Sequence, residues 1–439
     1  MAIGRVLIAS VVALILVPGS RAVTSGIEYK FRDVAEGEQP QSLISDAAGN
    51  IYGTTYYGGQ AGCGGYLTCG TVFEMTRNQD GSWSKSVIYK FTGGSDGGTP
   101  GSRLTFDSEG NLYGTTLQGG GILCSSSCGT VFKLSPSGDG RWAISTLYTF
   151  QGGGDGAGPT TGVIFDSSGN LYGTAEGGGV CNPGCNGGAF KLTPGQGGSW
   201  TETTLYSFLG GADGYYLSAL VFDTAGNLYG TTTYGGDTQG ICGAQGCGKV
   251  FQLTPNQDAS WTENVLYAFT DGADGGYPIS GVTFDTGGNL YGETINGGDF
   301  YCENAGCGVV FELAPNATGA WKETVLHTFH GQDGAQLEGG LVFDTSGDLY
   351  GTSTSGGSNP ACPFRGGCGT IFELSPKAGG GFIFKPIGAF NDTDGADPAT
   401  GVIVDSVGNL YGTTYTGGDL NCSVGGVTGG CGVVFEIAP

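Results

Sequence analysis

The chain has 439 residues, with 39 acidic side chains against 16 basic ones and a formal charge of −23. Such a surface repels nucleic acid and anionic lipid, which excludes both as partners and leaves cations and neutral ligands open. The 92 glycines recur at fixed places rather than in low-complexity runs, which fits frequent tight turns and not disorder.

Residues 1–22 carry the marks of an export leader. Arg5 supplies the positive start, Val6 to Val17 the apolar stretch, and Ser20-Arg21-Ala22 a small-x-small cleavage site. The apolar stretch is too short to span a bilayer comfortably. The expectation is a signal peptide over 1–22, a single domain over 23–439, and no membrane span once the leader is removed.

From there the chain repeats itself. A Tyr-Gly core recurs at Tyr52, Tyr113, Tyr172, Tyr229, Tyr291, Tyr350 and Tyr411, at intervals of 57 to 62 residues. Each unit holds four short runs rich in Val, Leu, Phe, Tyr and Thr, separated by Gly, Asp and Asn. In the fourth unit they are Leu220–Asp223, Asn227–Thr232, Lys249–Thr254 and Trp261–Phe269. Four antiparallel strands repeated seven times predict an all-β, seven-bladed β-propeller. The seventh unit stops after its third run, Val433–Ile437, while Ile27–Phe31 matches a fourth run. The N-terminal strand is therefore expected to complete the last blade and hide its edge.

The runs D-x-x-G-N-L-Y-G-T-T, C-G-T-V-F-E-L-x-P and L-Y-x-F-x-G-G-x-D-G resemble the GloVer repeat family, and the F-D-x-x-G-N-L-Y element is similar to the first hairpin of NHL-type propeller blades. The resemblance implies a secreted bacterial protein, periplasmic or at the cell surface, and names no catalytic residue.

Fourteen cysteines fall into local pairs: Cys63–Cys69, Cys124–Cys128, Cys181–Cys185, Cys242–Cys247, Cys302–Cys307, Cys362–Cys368 and Cys422–Cys431. No pair has thioredoxin-like spacing and no histidine accompanies them, so an exported chain points to seven disulfides inside blades rather than to metal. Asp46 and its six equivalents stand three residues before Gly-Asn or Gly-Asp, where a short carboxylate caps a hairpin turn. A second acidic set, Glu36, Asp96, Asp155, Asp213, Asp274, Asp333 and Asp394, lies in the loops between blades. It reads either as a repeated turn or as a ring for calcium, the one cofactor considered. Five tryptophans and Phe382 lead the fourth runs and read as packing. Histidine-based hydrolysis and zinc catalysis lack their motifs.

Function is sought where the repeat is broken. Glu293 replaces a small residue that is Thr in all six other copies. Tyr57, Tyr215, Tyr216, Tyr234, Tyr277 and Tyr415 are scattered through one set of loops, where aromatic rings among Asp, Asn and Gly suit stacking on sugar rings. The first expectation is a monomeric, non-enzymatic binding module for a glycan or an extracellular protein. The alternatives are a carboxylate- or calcium-dependent enzyme of lactonase or lyase type, with Glu293 its candidate, and a structural cell-surface component.

Overall fold

The computed structural model describes residues 24–438, apart from 64–67, 121–127, 179–185, 300–301, 303–304, 317–318, 358–361, 363–365 and 425–426. The expected leader lies outside the described residues. Seven four-stranded antiparallel blades stand in a ring. In the first blade the strands are Glu38–Ser45, Ile51–Tyr57, Thr71–Arg77 and Trp83–Lys90, paired in chain order. The fourth blade splits its first strand into Tyr215–Leu217 and Val221–Phe222, both pairing with Leu228–Tyr234.

The last blade is assembled from both ends of the chain. Thr24–Lys30 pairs antiparallel with Val433–Ala438, setting Tyr29 opposite Val434, and the Phe31 amide donates to the Gly432 carbonyl. The expected complementation is thus present.

The turn after the first strand is built alike in six blades, and in the sixth blade Asp344 keeps the two backbone amides alone. In the second blade Asp107 Oδ1 accepts the amides of Glu109 and Asn111, while Oδ2 accepts the Asn111 side-chain amide and the Tyr113 hydroxyl. This carboxylate satisfies the turn and fixes the tyrosine at once, so the capping reading of the Asp46 set holds.

The apolar core lies between blades. One cluster joins Tyr52, Val72 and Phe91 of the first blade to Leu104, Leu112 and Phe132 of the second. The strand-leading aromatics pack edge-on against the Tyr-Gly tyrosine: Trp142 on Tyr52 at 6.0 Å, Trp321 on Tyr229 at 6.3 Å and Phe382 on Tyr291 at 5.9 Å. The phenylalanine closing each fourth strand meets one on the next blade's third strand, as Phe91 does Phe132 at 5.1 Å. The double glycine after each second strand also has a steric reason. Gly119 has φ +83°, and a Cβ on it would collide with Gly97 in the loop that enters the blade.

Phe31 belongs to this core although it comes from the far end of the chain. It is fully buried and packs edge-on against Phe73 at 5.5 Å. Phe31→Ala is expected to cost ~3–5 kcal/mol in urea unfolding, against almost nothing for Val407→Ala, which is 74% exposed. Equal effects of the two substitutions would contradict closure by this strand.

Candidate functional site

Antiparallel pairing puts the loops between second and third strands at the same end of the molecule as the loops that lead from one blade to the next. The cysteines are in the first of these loop sets. Disulfides join Cys63–Cys69, Cys242–Cys247, Cys302–Cys307, Cys362–Cys368 and Cys422–Cys431. Cys128 is also disulfide-bonded, while Cys124, Cys181 and Cys185 lie outside the described residues.

The second cysteine of a pair has a further task. The backbone carbonyls of Cys69, Cys247, Cys307, Cys368 and Cys431 each accept an amide from the next blade, donated by Thr99, Tyr277, Gln336, Asp397 and Gln39. All five donors have φ between +50° and +64°, as does Tyr216 at the same repeat position with +55°. Such left-handed backbone costs of order 1–3 kcal/mol in a residue with a side chain. The third blade uses glycine there, Gly158 at +64°. Six side chains that the backbone would rather not carry are therefore held at the mouth of the ring.

Two of them are tyrosines. Tyr215 and Tyr234 face each other across paired strands and stack at 4.6 Å with 10° between planes. Tyr216 lies 5.9 Å from Tyr234 and is 51% exposed. Tyr277, from the next blade, meets Tyr234 edge-on at 5.5 Å. Four of the sequence candidates thus form one platform spanning two blades. Beside it sits Asp271, also left-handed at φ +58°, with a buried Oδ1 that has no hydrogen-bond partner. Burial, then the charge of Asp274, pushes its carboxyl up to about 6. Nothing in the repeat pattern singles Asp271 out; its backbone conformation does.

The remaining candidates lie apart from the platform. Tyr57 packs edge-on against Tyr56 at 4.9 Å in the first blade. Tyr415 turns inward, donating to Gln41 Oε1 at 3.1 Å. Burial, followed by the nearby Glu338, raises its hydroxyl to about 12. Glu293 is 1% exposed; its Oε1 accepts the Gly340 amide of the next blade at 2.6 Å, and its carboxylate is buried beside the Ser280 hydroxyl. The threonines at its repeat position work the other way round. Thr231 and Thr413 donate to the next blade's Ser280 and Gln41 carbonyls. Burial pushes the Glu293 carboxyl up to about 7.

The acidic set between blades is occupied by its own blades' donors. The hydroxyls of Tyr29, Tyr89, Tyr148, Tyr206 and Tyr267 donate to Glu36, Asp96, Asp155, Asp213 and Asp274 at 2.5–3.1 Å. His327 takes the tyrosine's place against Asp333 at 2.9 Å, and Asn391 serves Asp394. Lys249, fully buried, places a cation 3.7 Å from Asp213 and 2.7 Å from Glu263. Among the described residues no three of these carboxylates converge; the one group of three that does is Glu38, Cys422 and Cys431, whose cysteines are spent in a disulfide.

A family model described as the Gloeobacter/Verrucomicrobia repeat matches residues 18–242 and 238–439. The chain belongs to the Gloeobacter/Verrucomicrobia repeat family. No curated protein matches this family member. Among solved structures it is similar to a fungal alcohol oxidase of the AA5 family in complex with copper (TM-score 0.59, 13% identity, covering 95% of this chain and 77% of that one). It is also similar to an inactive virginiamycin B lyase from Staphylococcus aureus with quinupristin (0.51, 12%, 95% and 99%) and to the extracellular domain of BT4673 from B. thetaiotaomicron (0.52, 10%, 93% and 39%). At these identities the likeness shows the propeller fold alone.

Glu293 gives this repeat protein a pH dependence whose sign is fixed. Its folded-state pKa of about 7 lies above the ordinary 4.5. The folded state therefore binds the proton more tightly, and stability falls as pH rises from about 4.5 to about 7. Glu38 and Glu323, also raised to about 7 by burial, act in the same direction. Glu293→Gln should leave stability at pH 5 near that of the parent and raise it at pH 8, by roughly 3 kcal/mol at most. Urea midpoints at the two pH values check this; parallel pH slopes for parent and variant would contradict it.

Proposed function

We propose that the protein is an extracellular, non-enzymatic binding module that presents the Tyr215–Tyr216–Tyr234–Tyr277 platform to the rings of a glycan. The observation that carries this reading is the stacked Tyr215–Tyr234 pair, with Tyr216 exposed beside it on a strained backbone. Aromatic faces take the apolar side of a sugar ring. The disulfides suit an oxidising compartment, and removal of residues 1–22 is part of the proposal. No described helix is long and apolar enough to cross a membrane.

A carboxylate-dependent enzyme is the second reading, favoured by a Glu293 carboxyl poised near neutrality. Against it, the Glu293 Oε2 atom is sealed from solvent. Calcium in the acidic set would have to displace the tyrosine hydroxyls and amides already there.

A glycan array tests the first reading. Neutral oligosaccharides are expected to bind the parent, and Tyr216→Ala or Tyr234→Ala to weaken them about tenfold with little change in melting temperature for Tyr216→Ala. A blank array, or binding unaltered in both variants, would contradict the platform's role.

A further inference from the structure

The first strands line the axis of the ring, and one position in them is uniformly small. Ser42, Gly162, Ala219, Gly281, Gly340 and Gly401 each stand immediately before the Leu or Val at or near the first strand. These positions touch around the axis: a Cβ on Gly162 would collide with the Arg103 carbonyl, one on Gly281 would press on the Ala219 carbonyl, and one on Gly401 would meet Gly339. They form a belt in which adjacent blades pack backbone to backbone.

The second blade breaks the belt with Arg103. Its neighbours Ser102 and Leu104 are each 1% exposed, while Arg103 itself is exposed. Exposed between two buried neighbours, just ahead of the inner strand Thr105–Phe106, this side chain points into the channel. Among the described residues its guanidinium has no hydrogen bond and no ion pair, and the surrounding protein alone lowers its pKa by desolvation. Two cations that the fold covers elsewhere are engaged: Lys249 meets Glu263, and Lys85 donates to the Glu36 carbonyl at 2.6 Å.

We propose that Arg103 makes the axial channel a binding site for the carboxylate of an acidic sugar, its planar fork holding the two oxygens. The carboxylate is the ligand group whose geometry matches the fork. The sugar part of this inference rests on the glycan reading above; the charge part rests on Arg103 alone.

The test is calorimetric titration of the whole protein at low salt with glucuronate, glucose and a neutral oligosaccharide that binds the array. The parent should bind glucuronate more tightly than glucose. Arg103→Ala should lose that preference, by about tenfold or more, and Arg103→Lys should recover part of it, while the neutral oligosaccharide binds all three proteins alike. High salt should weaken glucuronate and leave the neutral ligand unchanged. Equal binding of glucuronate by parent and Arg103→Ala, or no preference over glucose in the parent, would overturn the channel site without touching the platform. Glucuronate preference with no neutral oligosaccharide binding would uphold the channel site and remove the platform reading.

Discussion

The strand Thr24–Lys30, hydrogen-bonded to Val433–Ala438, is the constraint on which the rest of the structure depends. Every blade's core is shared with its neighbour, so an open array would leave two unpaired apolar faces and a bare strand edge. Closure covers both. It brings Phe31 onto Phe73, and sets Gln39 of the first blade against the carbonyl of Cys431 in the last. Ring geometry then fixes which loops share a face and which strands face the axis.

Within that frame the disulfides act on contacts between blades. Each closes only a short loop, so the entropy it removes from the unfolded chain is modest. Its second cysteine, however, presents the carbonyl that holds the next blade's left-handed residue. The local bridge thus stiffens the acceptor of a contact made across blades. The same joint holds the left-handed residues Gln39, Thr99, Tyr216, Tyr277, Gln336 and Asp397 in equivalent places, and of these Tyr216 and Gln336 are exposed. Recognition can diverge at these positions while the scaffold stays the same.

The fold was legible in the sequence because duplication writes each structural requirement seven times. The Asp-x-x-Gly turn, the Tyr-Gly core and the missing fourth strand are spacing signals, and spacing survives without coordinates. The tyrosine platform was legible only in part. Tyr215, Tyr216, Tyr234 and Tyr277 stood out as aromatics in loops, but so did Tyr57 and Tyr415, and only folding decides which rings meet across two blades. Glu293 stood out as an exception, yet its burial could not be read from the exception itself. Asp271 and Glu38 gave no signal, because their partnerless oxygens arise from packing. Arg103 was visible in principle: alignment of the seven first strands leaves one charged residue in a column of Ser, Gly and Ala. Its significance needs the channel, which exists only once the ring closes.

Native-state hydrogen exchange of the terminal strands tests closure most directly. The account predicts that the amides of Thr24–Lys30 and Val433–Ala438 that pair in the ladder exchange together, and only as slowly as the strands of the other blades, through unfolding of the ring. Exchange of Thr24–Lys30 at the rate of surface loops, while Val433–Ala438 stays protected, would show that the N-terminal strand does not close the ring.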